Sequence, residues 1–260
     1  MTVITRRAPD SSPHARGNAL VAGDAIHVGP RSGYAPRMKV ILFGGTGMVG
    51  QGVLRECLLD PEVERVFMIV RSATGQRHEK LQEEVHENFF DFSSIGSKLS
   101  GYDACFFCLG VSSAGKTEIE YQHATYDITL AAAKTLVERN AAMTFIYVSG
   151  AGTDGTGRGR TMWARVKGTT ENALLELPFR RAYMFRPAFI QPRHGVTSKT
   201  RSYRALYAVL GPLFPVLRAL LPKYVTTTEQ VGRAMLEAAK NGAPKTVLES
   251  PDIIDLAGRE

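Results

Sequence analysis

The stretch MKVILFGGTGMVGQGVLRECLL, residues 38–59, decides the fold of this chain. Its first half is an apolar run typical of a buried strand, and its second half places apolar residues at helical spacing: Val49, Val53, Leu54, Cys57 and Leu58. Gly44, Gly47 and Gly50 lie between the two. In this context glycines allow a tight turn, close approach of backbone N–H groups to a pyrophosphate, and close packing of helix on strand. The stretch therefore predicts a dinucleotide-binding βα unit.

Downstream of this unit, short apolar runs alternate with helical stretches, as they do in parallel βαβ units. Further strands are predicted at RVFMIVR, NFFDF, DACFFCLG, MTFIYVSG and AYMFRPAFI, and KTVLES could supply a last one. One long helix is predicted over residues 119–140. A second, after a flexible loop at GAGTDGTGRGR, carries Trp163 and Lys167 and ends near Leu177, before Pro178. We expect an α/β Rossmann-type doubly wound parallel sheet, a single domain with a small helical C-terminal region on the substrate side.

The domain boundaries follow from composition. The 260 residues, 44% of them hydrophobic, suffice for one core, which we assign to residues 38–250, with a tail at 251–260. Residues 1–37 lack the apolar core of a signal peptide, and we expect a disordered or non-native leader, or an upstream start. No run reaches the roughly 18 apolar residues of a membrane span.

Cysteine and histidine usage bears on location and metal binding. The three cysteines form no convincing disulfide or zinc pattern, and reduced thiols favour a cytoplasmic location. No metal site is expected, because the histidines are scattered and HEKLQEEVHE (78–87) lacks the spacing of a ligand pair. We interpret that segment as charged and exposed.

Positive charge is concentrated in one region. The chain carries a formal net charge of +7, and residues 177–228 hold nine Lys or Arg but no Asp or Glu. Such a stretch can meet a cofactor phosphate, an acidic substrate, a membrane surface or, less readily, nucleic acid, or it can be a solvated basic face. We assign residues 193–228, basic and apolar, as a lid over the substrate pocket. Oligomeric state is not readable from the sequence.

The end of the second predicted strand favours one cofactor over another. An acidic residue there would bind the ribose 2′-hydroxyl of NAD(H), but the strand runs directly into Arg71. Guanidinium grips a 2′-phosphate bidentately. We therefore favour NADP(H), with NAD(H) as the alternative, or Arg71 simply projecting into water.

Five separated motifs, GGTGMVG, IVR, CLG, YVSGAG and WARVKG, together resemble the short-chain dehydrogenase/reductase superfamily over about residues 38–195. The likeness is greatest to its atypical NAD(P)-binding branch, which includes Tat-interacting-protein-like and nucleoside-diphosphate-sugar-epimerase-like proteins. The resemblance implies a Rossmann fold and NAD(P) binding. It does not by itself specify the reaction, because one fold hosts many chemistries.

The resemblance also implies roles for individual residues. The glycine loop would bind the dinucleotide through Gly44, Thr46, Gly47, Met48, Val49 and Gly50. Asp91 and Phe92 would lie beside the adenine, and Cys108, Leu109 and Gly110 near the adenosine half. Lys167 would hold the nicotinamide ribose, Pro187 would lie beside the nicotinamide, and Ser149 would hydrogen-bond a substrate oxygen.

One position departs from the family pattern. The residue four before Lys167 should be the tyrosine that exchanges a proton with a carbonyl, but it is Trp163. An indole N–H donates a hydrogen bond and does not titrate usefully. Trp163 could point into the pocket or serve only as packing. Tyr147 is a weak substitute because a tyrosine there is more often core, and Ser149 could instead have a structural role.

Two functions remain open from the sequence. The first is an NADP(H)-dependent oxidoreductase or epimerase-like enzyme acting on a small carbonyl or hydroxyl compound, with Ser149, Trp163 and Lys167 in a modified catalytic site. The second is a non-catalytic NADPH-binding sensor or scaffold that meets a partner protein or membrane surface through its basic, apolar segment.

Overall fold

A computed structural model describes residues 37–196, 214 and 219–258 of the chain. The predicted leader at residues 1–37 lies outside the described residues except for its last residue. The predicted lid at 193–228 is described only at its two ends and at residue 214. No helix in the described ranges is long and apolar enough to cross a membrane.

The described elements alternate strands and helices along most of the chain. In order they are β1 Met38–Phe43, α1 Met48–Leu59, β2 Val63–Val70, β3 Leu81–Val85, a 3₁₀ turn Ser93–Leu99, β4 Ala104–Phe107, α2 Glu118–Gln122, a π-helical turn His123–Asp127, α3 Ile128–Arg139, β5 Thr144–Val148, α4 Met162–Leu175, β6 Arg181–Arg186, β7 Phe189–Gln191, β8 Val225–Thr227, α5 Thr228–Lys240, β9 Val247–Glu249 and α6 Ser250–Ala257.

Seven of these strands form one parallel sheet in the order β3-β2-β1-β4-β5-β6-β9. The order reverses direction between β1 and β4, which is the crevice where doubly wound sheets bind ligands at the carboxyl ends of their strands. β7 and β8 form a separate two-stranded parallel sheet. The predicted Rossmann-type fold in a single α/β domain is therefore confirmed.

Two apolar layers cover the two faces of the large sheet. Alternate residues of β1 divide between them: Val40 and Leu42 pack with α1, α5 and α6, whereas Ile41 and Phe43 pack with α3, α4 and the 3₁₀ turn. Cys105 lies in the second layer and Cys108 against the first, as alternation along a strand requires. Burial raises the pKa of both thiols, so they stay protonated within the core.

The third strand differs from its predicted position. It is LQEEV, residues 81–85, inside the segment interpreted as charged and exposed, and it pairs with β2 at the edge of the sheet. An edge strand is held by backbone hydrogen bonds to one neighbouring strand, so it can form with few apolar residues. The predicted strand at NFFDF is instead a loop that inserts Phe89 and Phe92 into the core. His86 directly follows β3. It is also buried, and its ring stacks on the ring of Phe92.

The long predicted helix over residues 119–140 is interrupted by the π-helical turn at residues 123–127. Its start is well defined, because Thr117 and Glu120 form a reciprocal capping box. π-turns inside α-helices are often found at functional sites. This turn packs against α4, the helix that carries Trp163 and Lys167.

Candidate functional site

The glycine loop after β1 is a tightly packed turn at the carboxyl end of the sheet. Gly44 has φ +76°, and a Cβ on it would lie 2.6 Å from the backbone of Cys108 and Leu109. A Cβ on Gly50 would lie 2.1 Å from the carbonyl oxygen of Gly44. A Cβ on Gly47 would meet a single neighbour, the same oxygen, at 3.2 Å. The first and last glycines therefore allow close packing, while the middle one leaves the backbone approachable.

The first turn of α1 is open to an anion. Its N-cap is Gly47, which supplies no side-chain cap, and there is no acidic residue in the first turn. The free N–H groups and the helix dipole favour a phosphate at this position. Thr46, Met48 and Val49 are partly buried around it, and the carbonyl of Thr46 accepts a hydrogen bond from Gln51 at 3.1 Å.

The residues predicted to contact the adenosine half lie at the ends of neighbouring strands. Arg71 directly follows β2 and is exposed, with no hydrogen bond or ion pair to another described residue. Cys108 and Leu109 follow β4 and contact the glycine loop, and Gly110 is exposed beyond them. The structure thus brings these residues together at the carboxyl ends of the parallel strands.

Asp91 and Phe92 differ from each other in exposure. Asp91 is exposed, and its carboxylate accepts hydrogen bonds from the amide and hydroxyl of Ser93, at 2.8 and 3.0 Å, which lower its pKa. Phe92 is 1% exposed and packs edge-on against Phe43. The ring of Phe92 is therefore part of the hydrophobic core. Its predicted role beside the adenine stays a prediction.

Two of the three predicted catalytic residues are in direct contact. The ammonium of Lys167, on α4, donates a hydrogen bond to the backbone carbonyl of Ser149, at the end of β5. Trp163 is partly buried one turn earlier on α4, with its ring against Gly152. Burial lowers the pKa of Lys167 to about 8, and the nearby carboxylate of Glu171 acts in the opposite direction.

The hydroxyl of Ser149 has buried protein partners. It donates a hydrogen bond to the carboxylate of Glu171 and lies 3.2 Å from the carbonyl of Phe185. Ser149 is only 4% exposed. Its predicted contact with a substrate oxygen stays a prediction, and the structure shows the hydroxyl hydrogen-bonded within the protein.

Glu171 and Arg186 form a buried ion pair beneath this site. The guanidinium Nε lies 3.0 Å from Oε1 of Glu171, and Nη2 lies 2.5 Å from Oε2. Glu171 is 1% exposed, and Arg186 also reaches Glu249 at 3.3 Å. A buried charge needs such a partner because it has left water.

Neither member of this pair was predicted from the sequence. The position of Glu171 on α4 could have indicated a buried carboxylate. The other residues on its helix face are buried, namely Ala164, Gly168 and Leu174. An acidic residue in a buried helical stripe requires a cationic partner, and Arg186 directly precedes the predicted site residue Pro187.

The loop between β5 and α4, predicted to be flexible, is organised around Asp154. Its carboxylate accepts hydrogen bonds from the Thr156 amide at 2.9 Å and the Gly159 amide at 2.5 Å. α4 packs closely on the loop, since a Cβ on Gly168 would lie 1.8 Å from the carbonyl oxygen of Asp154. This packing sets the position of Trp163 and Lys167.

Tyr147 is buried in the core, where its phenol lies near Glu171. It is 1% exposed and packs between the sheet and its helices, with its ring centroid 6.0 Å from that of Phe107. Burial raises the pKa of its phenol far above the ordinary value. Its weak candidacy as a replacement for the missing tyrosine is therefore not supported.

Several described residues of the basic stretch 177–228 have partners within the protein. Pro187 is buried after β6, and its carbonyl accepts a hydrogen bond from Ala151 at 3.0 Å. Farther along, His194 and Arg193 both pair with Glu229 at the start of α5. Part of the positive charge in this region is thus neutralised by carboxylates of the protein itself. The same is true of Arg186, which pairs with Glu171 and Glu249.

Solved structures of short-chain dehydrogenases/reductases have the same fold as this chain. An oxidoreductase of that family from Burkholderia thailandensis matches 85% of this chain and 93% of its own, with a TM-score of 0.60 and 15% identity. A tyrosine-to-phenylalanine variant of ElxO with NADPH bound matches 84% and 99%, with a TM-score of 0.60 and 13% identity. The enzyme WbmF of Bordetella bronchiseptica with NAD⁺ matches 85% and 76%, with a TM-score of 0.57 and 16% identity. The resemblance drawn from the sequence is confirmed at the level of the fold.

The chain is also similar in sequence to the fungal FMP52 proteins. It is 26% identical over 236 residues to the mitochondrial protein FMP52 of Chaetomium globosum, covering 85% of this chain and 97% of the relative. It is 26% identical over 228 residues to that of Eremothecium gossypii, covering 86% and 99%. No family model matches the chain.

These relatives correct one prediction. Their names place them in mitochondria, so the cytoplasmic location predicted from the reduced cysteines was wrong. Unpaired cysteines indicate a reducing environment in general and do not distinguish one reducing compartment from another.

Proposed function

We propose that this protein binds a nicotinamide dinucleotide, NADP(H) in preference to NAD(H), and acts as an oxidoreductase or epimerase-like enzyme on a small carbonyl or hydroxyl compound. The observation that carries the proposal is the glycine loop, in which closely packed glycines present an uncapped, acid-free helix N-terminus at the crevice of the sheet. Two structural neighbours, which bind NADPH and NAD⁺, support it.

The described residues fit such a cofactor. Gly47 leaves the backbone of the loop approachable by the pyrophosphate, and Gly44 and Gly50 allow the close packing that forms the turn. Arg71 is exposed at the strand end and free of described partners, so its guanidinium is available to a 2′-phosphate. Lys167 is positioned by Ser149 to donate hydrogen bonds to a ribose.

The site residues would then divide the work of the reaction. The bound dinucleotide would supply or accept a hydride. Lys167 holds a proton on Nζ next to the end of β5, and Trp163 offers its ring and N–H from the same helix face. The loop at residues 150–161 and the helix α4 exclude water from one side by close packing.

The first test is a fluorescence titration of the purified protein with NADPH and NADH. Replacing Arg71 with alanine is expected to weaken NADPH binding by about tenfold to a hundredfold, since hydrogen bonds to charged groups contribute roughly 1.5–3 kcal/mol. NADH binding should be unchanged. Arg77→Ala, an exposed arginine in the same loop, is the matched control. Equal loss of both dinucleotides on Arg71→Ala would contradict the NADP(H) preference, and no binding of either would contradict the proposed function.

A second prediction concerns the missing tyrosine. Trp163→Tyr is expected to raise the rate of NADPH-dependent carbonyl reduction at least tenfold, because a positioned general acid typically contributes about 10²–10⁴-fold. A substrate panel of small aldehydes and ketones gives the measurement. Trp163→Phe, which opens the same space without a hydroxyl, is the control. If the reduction rate rises as much in the phenylalanine variant as in the tyrosine variant, the gain comes from the smaller side chain. The acid–base interpretation then fails.

A second candidate function is a dinucleotide-binding sensor or scaffold that meets an anionic membrane or a partner protein. The observation that favours it is an exposed apolar group beside Lys223, formed by Phe189, Leu220, Leu221 and Tyr224. Such groups mark interaction surfaces when they are contiguous. Co-sedimentation with anionic liposomes at low salt tests the membrane version, and no binding under those conditions would eliminate it. Dinucleotide binding without turnover across the carbonyl panel would favour the scaffold version.

A further inference from the structure

Two of the three predicted catalytic residues are poor proton donors near neutral pH in this arrangement. The indole of Trp163 does not titrate usefully. The hydroxyl of Ser149 is buried and donates into the carboxylate of Glu171. Tyr147 is sealed in the core. Within the described part of the site, Lys167 remains as the group that can release and recover a proton near neutral pH.

The surroundings of Lys167 are built from three elements. Its ammonium donates to the carbonyl at the end of β5, and Glu171 lies one turn farther along α4. Arg186, on β6, holds both oxygens of that carboxylate, at distances from 2.5 to 3.2 Å. The carboxylate is therefore fixed in place near the ammonium. Burial favours the neutral amine, whereas the negative charge of Glu171 favours the ammonium.

Other charged groups on the elements packed against α4 are occupied elsewhere. On α2 and the π-helical turn, Glu118 pairs with Arg165 at 2.6 Å, and Asp127 lies 2.9 Å from His123, both at the surface. In the loop before α4, Asp154 accepts hydrogen bonds from backbone amides. On α3, Lys134 is exposed and Arg139 bonds the carbonyl of Gly96 at 3.1 Å. Glu171 is accordingly the charge that acts on Lys167.

We propose that Glu171, held by Arg186, is a positioning residue that keeps Lys167 in its ammonium form at neutral pH, and that Lys167 is thereby the acid–base group of the site in place of the missing tyrosine. This inference rests on the proposed function. It assigns to the lysine itself the proton transfer that a phenol would otherwise perform.

The proton and electron balance of the step is simple. A bound reduced dinucleotide would supply the hydride for the new C–H bond at the carbonyl carbon and would thereby be oxidised, while the π pair of the C=O bond would move to oxygen. Lys167 gives the proton from Nζ to that oxygen, so an N–H bond breaks and an O–H bond forms. The neutral amine then recovers a proton from solvent. A general acid works best when its pKa lies near the working pH.

The test measures the protonation of Lys167 without requiring activity. Competitive labelling of amines with trace acetic anhydride over a pH series, followed by peptide mass spectrometry, gives the midpoint at which Lys167 becomes reactive. The exposed Lys134 serves as the internal reference. The expected midpoint for Lys167 is near pH 8 in the unmodified protein. In Glu171→Gln it should fall by at least about one pH unit, because an attractive charge has been removed.

Two variants control for loss of structure. Glu171→Asp keeps the charge and should restore most of the midpoint. Glu249→Gln removes a different carboxylate from the same Arg186 and should leave the midpoint in place. A midpoint near the ordinary lysine value of about 10.4 in the unmodified protein, or no shift in Glu171→Gln, overturns the inference. If Glu171→Gln does not fold, the unmodified protein and Glu171→Asp decide.

The outcome is separable from that of the proposed function. Failure of both dinucleotides to bind refutes the proposed function, and with it the catalytic role of Lys167, whatever the labelling shows. Where a carbonyl compound is reduced, Lys167→Arg keeps the positive charge but cannot release a proton. It should still bind NADPH and lose at least about a hundredfold in turnover. Unchanged turnover in Lys167→Arg overturns the inference while leaving the proposed function intact.

Discussion

Replacement of Arg186 by methionine is expected to lower the free energy of unfolding by about 3–5 kcal/mol, because it leaves the carboxylate of Glu171 buried without a cationic partner. That carboxylate is 2% exposed and receives three contacts of 2.5–3.2 Å from the guanidinium. Methionine keeps much of the apolar stem of arginine, so the loss reports on charge more than on packing. Chemical denaturation at pH 7 gives the measurement.

The matched control for this prediction lies on the surface. Arg165 pairs with Glu118 at 2.6 Å, but Glu118 is 46% exposed and water can replace the arginine. Arg165→Met should therefore cost no more than about 1 kcal/mol. Equal losses in Arg165→Met and Arg186→Met would show that burial of Glu171 does not determine the cost.

The second large effect is expected at the glycine loop. Alanine at Gly50 would place a Cβ 2.1 Å from the carbonyl oxygen and 2.6 Å from the carbonyl carbon of Gly44. These are backbone atoms, so the loop must shift away from the helix. We expect a loss of stability of about 1–3 kcal/mol and at least a hundredfold loss in NADPH affinity, equivalent to about 2.7 kcal/mol.

Gly258→Ala tests whether the effect belongs to the loop. The added Cβ there would meet its nearest neighbours at 3.8 Å, which is ordinary contact, at the end of α6. Stability and NADPH binding should both stay near those of the unmodified protein. Unchanged NADPH binding in Gly50→Ala would mean that the loop does not hold the dinucleotide.

The parts of the fold with strong local signals were predictable. β1, the glycine loop and α1 follow each other within residues 38–59, and each is specified by apolar periodicity or by glycine. The buried central strands are similarly explicit. β3 was missed because an edge strand pairs on one side only, and its three consecutive polar residues, Gln82 to Glu84, resemble an exposed segment. The aromatic residues of NFFDF were mistaken for a strand because a loop can also bury its side chains.

The site was only partly predictable, for a related reason. The positions of Gly44, Ser149 and Lys167 follow from motifs that span a few residues each. The partner of the Ser149 hydroxyl does not, because Glu171 lies 22 residues farther along the chain and reaches Ser149 only when α4 packs on β5. The same holds for Arg186, which comes from the adjacent strand β6.

The sequence by itself determined β1, α1 and the buried central strands, the glycine turn, the arginine at the second strand end and the absence of tyrosine at position 163. The tertiary structure alone decided the direction of the Ser149 hydroxyl, the burial of Tyr147 and the neighbours of Lys167. The physical reason is range. Backbone preferences and apolar periodicity act over a few residues, whereas the protonation and hydrogen bonding of a buried group depend on the charges and the solvent exclusion that distant segments bring to it.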